Sequence, residues 1–336
     1  MILEKAFMKK LAIILLDWNG ADDTIECLST LKNSELYDIF LLDNGSLPEN
    51  TEKLKGSVLS SEFTKDSKIC STQDFDQHPA FLNYIRSDVN LGFAGGNNMI
   101  ANRICDQYQY LLLLNNDTFV TENAIEHMVD SACTYHTTAL TCDIRIYYRR
   151  NELWNAGGEF TWLGERKYFS QKKIDLLKEK NVDYIDAGFI TGCALLIDGE
   201  YVAQNGLFTE DFFHGEEDFN LCYHLARNHK KVGVDLQAVI YHKVGQSIQR
   251  MDMDKRIYSG MLVNYSNRVI DFKHFYPRTK WLLWRCLYLA ILSIRRITTG
   301  MSVRDTFLLC KRVRIVSDRY DNVKKPVFDE LMNYTW

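Results

Sequence analysis

Apolar and polar positions change period in blocks along the first two thirds of the chain. Leu11–Leu16 is an unbroken apolar run and predicts a buried strand. Thr24–Leu31 carries Ile25, Leu28 and Leu31 at helical spacing behind the capping candidates Asp22 and Asp23. Tyr37–Leu42 predicts a second strand, closed by the turn Asp43-Asn44-Gly45-Ser46. Residues 50–80 are polar and poorly periodic, which predicts loop and helix with an insertion. Asn90–Asn98 reads as a loop of small residues opening a helix to Ile104, and Glu122–Ala132 reads as another helix. Between them, Leu111–Leu114 is wholly apolar and stops at Asn115-Asn116-Asp117-Thr118. That pattern predicts a buried strand delivering a carboxylate to the edge of the sheet. The βα alternation predicts a parallel, doubly wound sheet. From Ile144 to Tyr184 the period is weak, and hairpins and a mobile loop around Gly157-Gly158 and Gly164 are expected. Ile185–Ile197 reads as strand broken at Gly188 and Gly192, Glu217–Arg227 opens a helix, and Val232–Tyr241 predicts two short strands. From about Ile248 onward the pattern is helical and basic.

Charge changes this picture only at the C-terminal end. The 336 residues carry a formal net charge of −4, which gives no case for nucleic-acid binding. Lys273 to Ile315, however, holds ten Lys/Arg and one acid, Asp305: a local +9 that leaves −13 for the rest. This asymmetry points to a surface for an anionic partner. Within it, Trp281–Ile294 is nearly all apolar, with Trp281, Trp284 and Tyr288 at helical spacing. It is too short, and too interrupted by Arg285, to span a bilayer. Two readings follow: a helical hairpin packed on the rest of the protein, or an interfacial helix with Trp and Tyr at headgroup level. The nine cysteines show no C-x-x-C pair, so reduced thiols in a cytosolic setting are expected. Met1–Gly20 lacks a cleavage site and its apolar core runs into Asp17, which favours a first strand over a signal peptide.

Three strand ends finish in polar clusters: Asp17-Trp18-Asn19, Asp43-Asn44-Gly45-Ser46 and Asn115-Asn116-Asp117. In a parallel sheet these lie on one edge, where open α/β sheets bind ligands. A base could stack near Trp18, Asp43 could meet base or ribose, and a diphosphate could reach a cation on Asp117. The small residues from Asn90 to Asn98 could admit phosphate at a helix N-terminus. Glu216-Glu217-Asp218 opens a helix behind Phe212-Phe213, so one of these acids is a candidate general base in a partly dry site. His242 also follows a strand and could ligate the cation.

In this order, Asp17-Trp18-Asn19-Gly20, Asp43-Asn44-Gly45-Ser46, Asn90 to Asn97, Leu114 to Thr118, Gly192-Cys193-Ala194, Glu217-Asp218 with Leu221-Cys222, and His242 in H-x-x-G-x-S form a set. The set resembles glycosyltransferase family 2, the GT-A fold, and within it bacterial rhamnosyltransferase-like members. The resemblance covers roughly residues 10–272. It implies a mostly parallel Rossmann-like sheet flanked by helices, with a C-terminal helical extension. The implied catalytic unit is 1–247, with a nucleotide-sugar half to about 120 and an acceptor half from 121, followed by a basic extension over 248–336. Asp218 then matches the catalytic base, with Glu217 beside it. Asp117 and His242 match the ligands of Mn2+ or Mg2+, with Asn in place of the earlier acid of the D-x-D-like motif. Asp17, Trp18, Asn19, Asp43, Asn44, Asn90, Gly92, Phe93, Gly95, Gly96, Asn97, Asn115, Asn116, Gly192 and Cys193 fall on nucleotide-sugar positions. Tyr265-Ser266-Asn267-Arg268 resembles a Y-x-R-N-like segment with its last two residues inverted, and no role is carried to Arg268.

The implied reaction is an inverting sugar transfer from a nucleotide diphosphate donor, dTDP-rhamnose first, to a saccharide or lipid-diphosphate-linked saccharide of cell-surface polysaccharide. UDP-galactose, UDP-glucose and UDP-N-acetylglucosamine are the alternative donors. The implied place is the cytoplasm, peripheral on the inner face of the membrane through residues 273–315, and a homodimer stays open. A sugar-nucleotide pyrophosphorylase would need a basic Gly-rich loop after the first strand, where Asp17-Trp18-Asn19-Gly20-Ala21 has no cation. The NAD fingerprint is also missing.

Overall fold

The structure, a computed structural model, describes residues 9–32, 34–60, 66–244 and 253–334, with side chains in the last stretch from 258. Gly245, Gln246 and Ser247 of the H-x-x-G-x-S segment, and the expected boundary at 247/248, lie outside the described residues.

The chain begins β1 (Lys9–Asp17), α1 (Ala21–Thr30), β2 (Tyr37–Asn44), α2 (Pro48–Ser60), β3 (Ser67–Cys70), β4 (Leu82–Ser87), α3 (Gly92–Ile104) and β5 (Tyr108–Asn115). It continues through β6 (Thr118–Val120), α4 (Ala124–Tyr135), β7 (Ala139–Ile146), β8 (Arg149–Asn155), β9 (Gly158–Phe160), β10 (Arg166–Tyr168) and α5 (Gln171–Glu179). Then follow β11 (Tyr184–Asp186), β12 (Ala194–Asp198), α6 (Gly199–Asn205), α7 (Glu217–Arg227) and β13 (Val232–His242). The C-terminal helices are α8 (Met253–Phe275), α9 (Arg278–Thr298), α10 (Val303–Arg319) and α11 (Lys325–Met332).

One large sheet runs β11-β13-β7-β12-β5-β1-β2-β4-β3. Its first half is parallel: β1 pairs with β2 and β5, and β4 with β2 and β3. The second half is mixed, because β12 enters antiparallel between β5 and β7. The middles of the central strands β1, β2 and β5 are apolar because both faces are covered. Ala12 and Ile14 of β1 face one core, while Leu11, Ile13 and Leu15 face the other. Parallel register sets Asp17 beside Asp43 and Leu16 beside Asn115, so the polar strand ends share one edge.

Four local expectations change. The small residues after Asn90 are not a loop, since α3 begins at Gly92 and contains Gly95, Gly96 and Asn97. Val232–His242 is one strand with an irregularity between Asp235 and Val239, not two. The weakly periodic middle contains a helix, α5, capped by the Ser170 side chain accepting from the Lys173 amide. Trp281, Trp284 and Tyr288 are buried, not placed for a headgroup layer. Their indoles donate inward, Trp281 Nε1 to the Val269 carbonyl at 2.8 Å and Trp284 Nε1 to the Leu163 carbonyl at 2.9 Å. They form the core on which α8, α9 and α10 pack. None of the nine cysteines is joined in a disulfide.

Candidate active site

At the end of β5 the chain turns through Asn115–Asp117 into β6, which pairs with the end of β13. That pairing sets His242 opposite Thr118 and brings its Nε2 within 3.0 Å of Asp117 Oδ1. Both side chains are largely shielded, His242 lies edge-on to Trp154, and its Nδ1 is buried without a partner. Asn115 donates its amide to the Cys193 carbonyl at 2.8 Å, which joins this corner to the segment before β12.

The next residue back, Gly192, donates its amide to Asp218 Oδ2 at 3.1 Å, and the Phe219 amide donates to Asp218 Oδ1 at 2.9 Å. A Cβ on Gly192 would stand 3.1 Å from the Phe93 ring, so the missing side chain lets Phe93 pack closely on the segment before β12. Burial pushes the Asp218 carboxyl above its ordinary range, opposed by the Arg166 guanidinium and the two amides. Glu217 is buried more completely, has Oε2 unpartnered, and is pushed up to about 8 by burial and by Asp218. At neutral pH Glu217 is therefore mostly a neutral acid. Asp218 is the carboxyl of the pair suited to accept a proton.

Glu216 caps α7 with φ at +84°, a strained conformation for a non-glycine residue. Two cations hold it there: Arg166 from β10, and Arg268 of α8, whose Nε donates to Glu216 Oε1 at 2.8 Å. Arg268 Nη1 also donates to the Gly164 carbonyl, and Asn267 Nδ2 donates to the carbonyls of His214 and Gly215. The C-terminal helices thus grip the loop that presents Glu217 and Asp218. Arg166 and its pairing with Glu216 escaped the sequence because the two residues are remote in the chain. Arg268 did too, because its motif is inverted, although three adjacent acids at one helix start were a signal for a cation nearby.

The first two strand ends behave differently. Asp17 has no exposed surface and accepts from Thr24, Ser46 and Asn116. Asp43 is equally buried and accepts from the Ser46 amide, Thr51 and Tyr84. As they stand, Asp17 and Asp43 are struts beneath the edge, Asn116 braces Asp17 from a half-buried position, and the position expected to meet base or ribose does not reach the surface. Trp18 does reach it, about half exposed, and Asn19 holds the turn by accepting from the Leu47 amide. Asn44 fixes the next turn through Asn90 and the Leu91 amide. Gly92, at φ +76°, lies where a Cβ would come within 2.8 Å of the Phe213 carbonyl. Gly96 packs against Leu16, Gly95 against Leu91, and Asn97 donates to the Phe93 carbonyl. Gly92 and Gly96 thus sit where α3 packs closely on other parts of the protein.

Residues 13–202, more than half of the chain, match the sequence profile of the family described as Glycosyl transferase family 2. The match stops before Glu217, Asp218 and His242. No curated protein matches the chain. Among solved structures the fold is similar to that of GalNAc-T7 crystallised with UDP, GalNAc and Mn2+, with a TM-score of 0.60 and 14% sequence identity. The likeness covers 97% of this chain and 56% of that one, so the chain spans little more than half the length of that relative.

Proposed function

The chain belongs to glycosyl transferase family 2 and has the GT-A fold; from that premise we propose an inverting, metal-dependent transferase that uses a nucleotide sugar, with Asp218 as its base. The observation that carries this reading is the hydrogen-bonded path from the Asp117–His242 pair, through Asn115 and Cys193, to Gly192 and Asp218. It sets a candidate cation corner beside a candidate proton acceptor, as a transfer that expels a diphosphate requires.

Asp117 and His242 fit a divalent cation: one carboxylate oxygen and one imidazole nitrogen converge, the carboxylate suiting Mn2+ or Mg2+ and the imidazole favouring Mn2+ over the harder Mg2+. No cluster of three His, Cys, Asp or Glu exists among the described residues, so the other coordination positions fall to diphosphate oxygens and water. When bound, such an ion supplies Lewis-acid stabilisation of the leaving diphosphate. Trp18 offers a face to the base. Phe93 and Gly192 shape the wall on which the sugar rests. Asp218 takes the proton from the acceptor hydroxyl as that oxygen attacks the anomeric carbon. A single displacement needs one base, and Glu217, neutral and adjacent, orients rather than deprotonates.

For the donor we favour dTDP-rhamnose, with a saccharide or lipid-linked saccharide of cell-surface polysaccharide as acceptor. UDP sugars are the second reading, favoured by the UDP in the GalNAc-T7 structure. We assign 1–247 to catalysis and 248–336 to an extension that braces it, in a cytoplasmic setting. A thermal-shift screen of dTDP-rhamnose, UDP-galactose, UDP-glucose and UDP-N-acetylglucosamine with Mn2+ or Mg2+ tests the reading. Stabilisation by dTDP-rhamnose only with metal supports it. Equal stabilisation by every nucleotide sugar without metal contradicts it.

A further inference from the structure

The aromatic side of α9 is spent on the interior, yet its opposite side is apolar too. Leu283, Leu287, Ala290, Ile294 and Ile297 are all exposed, at steps of four and three residues that align them on one face. Leu283 is 75% and Ile294 65% exposed. The stripe is about 21 Å long at the rise of an α-helix. On α10, Val303, Phe307, Leu308 and Ile315 are exposed as well, interleaved with the exposed cations Arg304, Lys311 and Arg314. Both helices turn their buried sides toward α8. From Arg278 to Ile315 the one acid is Asp305, half-buried and bonded to Ser302, and Arg314 reaches Asp318 one turn on at 3.9 Å. Arg304 and Lys311 have no acidic partner among the described residues.

We propose that the outer face of α9 and α10 lies on an anionic lipid surface, with the aliphatic stripe in the headgroup–acyl boundary and the cations on lipid phosphate. Charge complementarity selects this occupant. A second copy docked symmetrically would set the same cations against each other, whereas a helix seam between copies needs opposite charges on its flanks. No helix among the described residues is long and apolar enough to cross a membrane, and an interfacial helix needs no such length. The face is also tied to the site. The turn carrying Trp162, 83% exposed, is fastened to α9 by Trp284 Nε1 on the Leu163 carbonyl and by Arg295 on Glu165 at 3.2 Å. The same hairpin then supplies Arg166 to Glu216. This last link, which would bring a lipid-linked acceptor to Asp218, rests on the proposed transfer reaction; the surface itself does not.

The test is flotation of the full chain with phosphatidylcholine vesicles, with and without phosphatidylglycerol. Two triple variants accompany it: Arg304→Gln/Lys311→Gln/Arg314→Gln and Leu283→Gln/Ile294→Gln/Phe307→Gln. Wild type is expected to float only with phosphatidylglycerol and to be released by salt. The cation variant should partition roughly a hundredfold more weakly. The apolar variant should also lose flotation, and both should keep the wild-type melting temperature. Absence of flotation by wild type, or equal flotation with neutral vesicles, overturns the proposal. So does a wild-type dimer in sedimentation equilibrium that the apolar variant dissociates, since a second copy then covers the face. Transfer to a soluble acceptor, measured in parallel, reports on the reaction independently of the membrane.

Discussion

His242 Nε2 lies 3.0 Å from Asp117 Oδ1, although one residue closes β13 and the other follows β5. The short strand β6 makes the meeting possible, pairing Thr118 with His242 immediately beyond Asp117. If this corner holds the cation, Asp117→Ala should weaken Mn2+-dependent donor binding by at least roughly a hundredfold, since even second-shell losses cost 10–100-fold. His242→Ala should act in the same direction. Mn2+ titration by calorimetry in the presence of nucleoside diphosphate measures both, and a chelator should abolish turnover of the wild type.

Glu217 gives a pH prediction with a definite sign. Its folded pKa of about 8 lies above the ordinary 4.5. The folded state therefore holds a proton that the unfolded state releases, and stability falls as pH rises from about 4.5 to about 8. Glu217→Gln should be more stable than wild type at pH 8 and should have a flatter stability profile across that window. Its turnover at pH 7 should stay near wild type, because the amide resembles the neutral acid. Denaturant unfolding and rate profiles between pH 5 and 9 check both statements.

Arg166 faces Asp218 and lowers the pKa that burial raises. Arg166→Ala should shift the acidic limb of the pH–rate profile to higher pH, because only the carboxylate form accepts the acceptor's proton. Arg166→Lys should restore part of the shift. Arg268→Ala leaves Glu216 with one cation instead of two. Removing one partner of a buried pair costs about 3–5 kcal/mol at most, and urea unfolding should show a loss below that limit because Arg166 remains.

Gly92 tests the packing of α3 on the catalytic loop. Alanine there must hold φ near +76° and push a Cβ against the Phe213 carbonyl. A loss of about 1–3 kcal/mol is expected from the strain, read as a lowered melting temperature with weakened turnover.

Much of this architecture was legible in the chain. Leu11–Leu16, the Ile39–Leu42 part of Tyr37–Leu42, and Leu111–Leu114 announce themselves because a strand covered on both faces is apolar over its centre. Glu217–Arg227 was legible because three acids mark a helix start. Helix α5 was hidden because it buries only Ile174, so its apolar period is weak. The glycines of α3 hid its start because glycine is a poor helix former and reads as loop, and one that fits protein to protein has the same signature as one that admits a ligand. Asp43 shows a similar limit: a polar strand end indicates which edge it reaches, not whether Thr51 and Tyr84 will occupy its oxygens. The grip of Arg268 on Glu216 depends on long-range packing, which no local pattern encodes.

The most direct measurement is turnover and donor affinity of Asp218→Asn, with the donor and metal chosen by the thermal-shift screen. The geometry predicts a fall in turnover of roughly a thousandfold, in the range for loss of a general base, with the dissociation constant of the nucleotide sugar unchanged by calorimetry. Wild-type turnover in Asp218→Asn would contradict the assignment of Asp218 as the base.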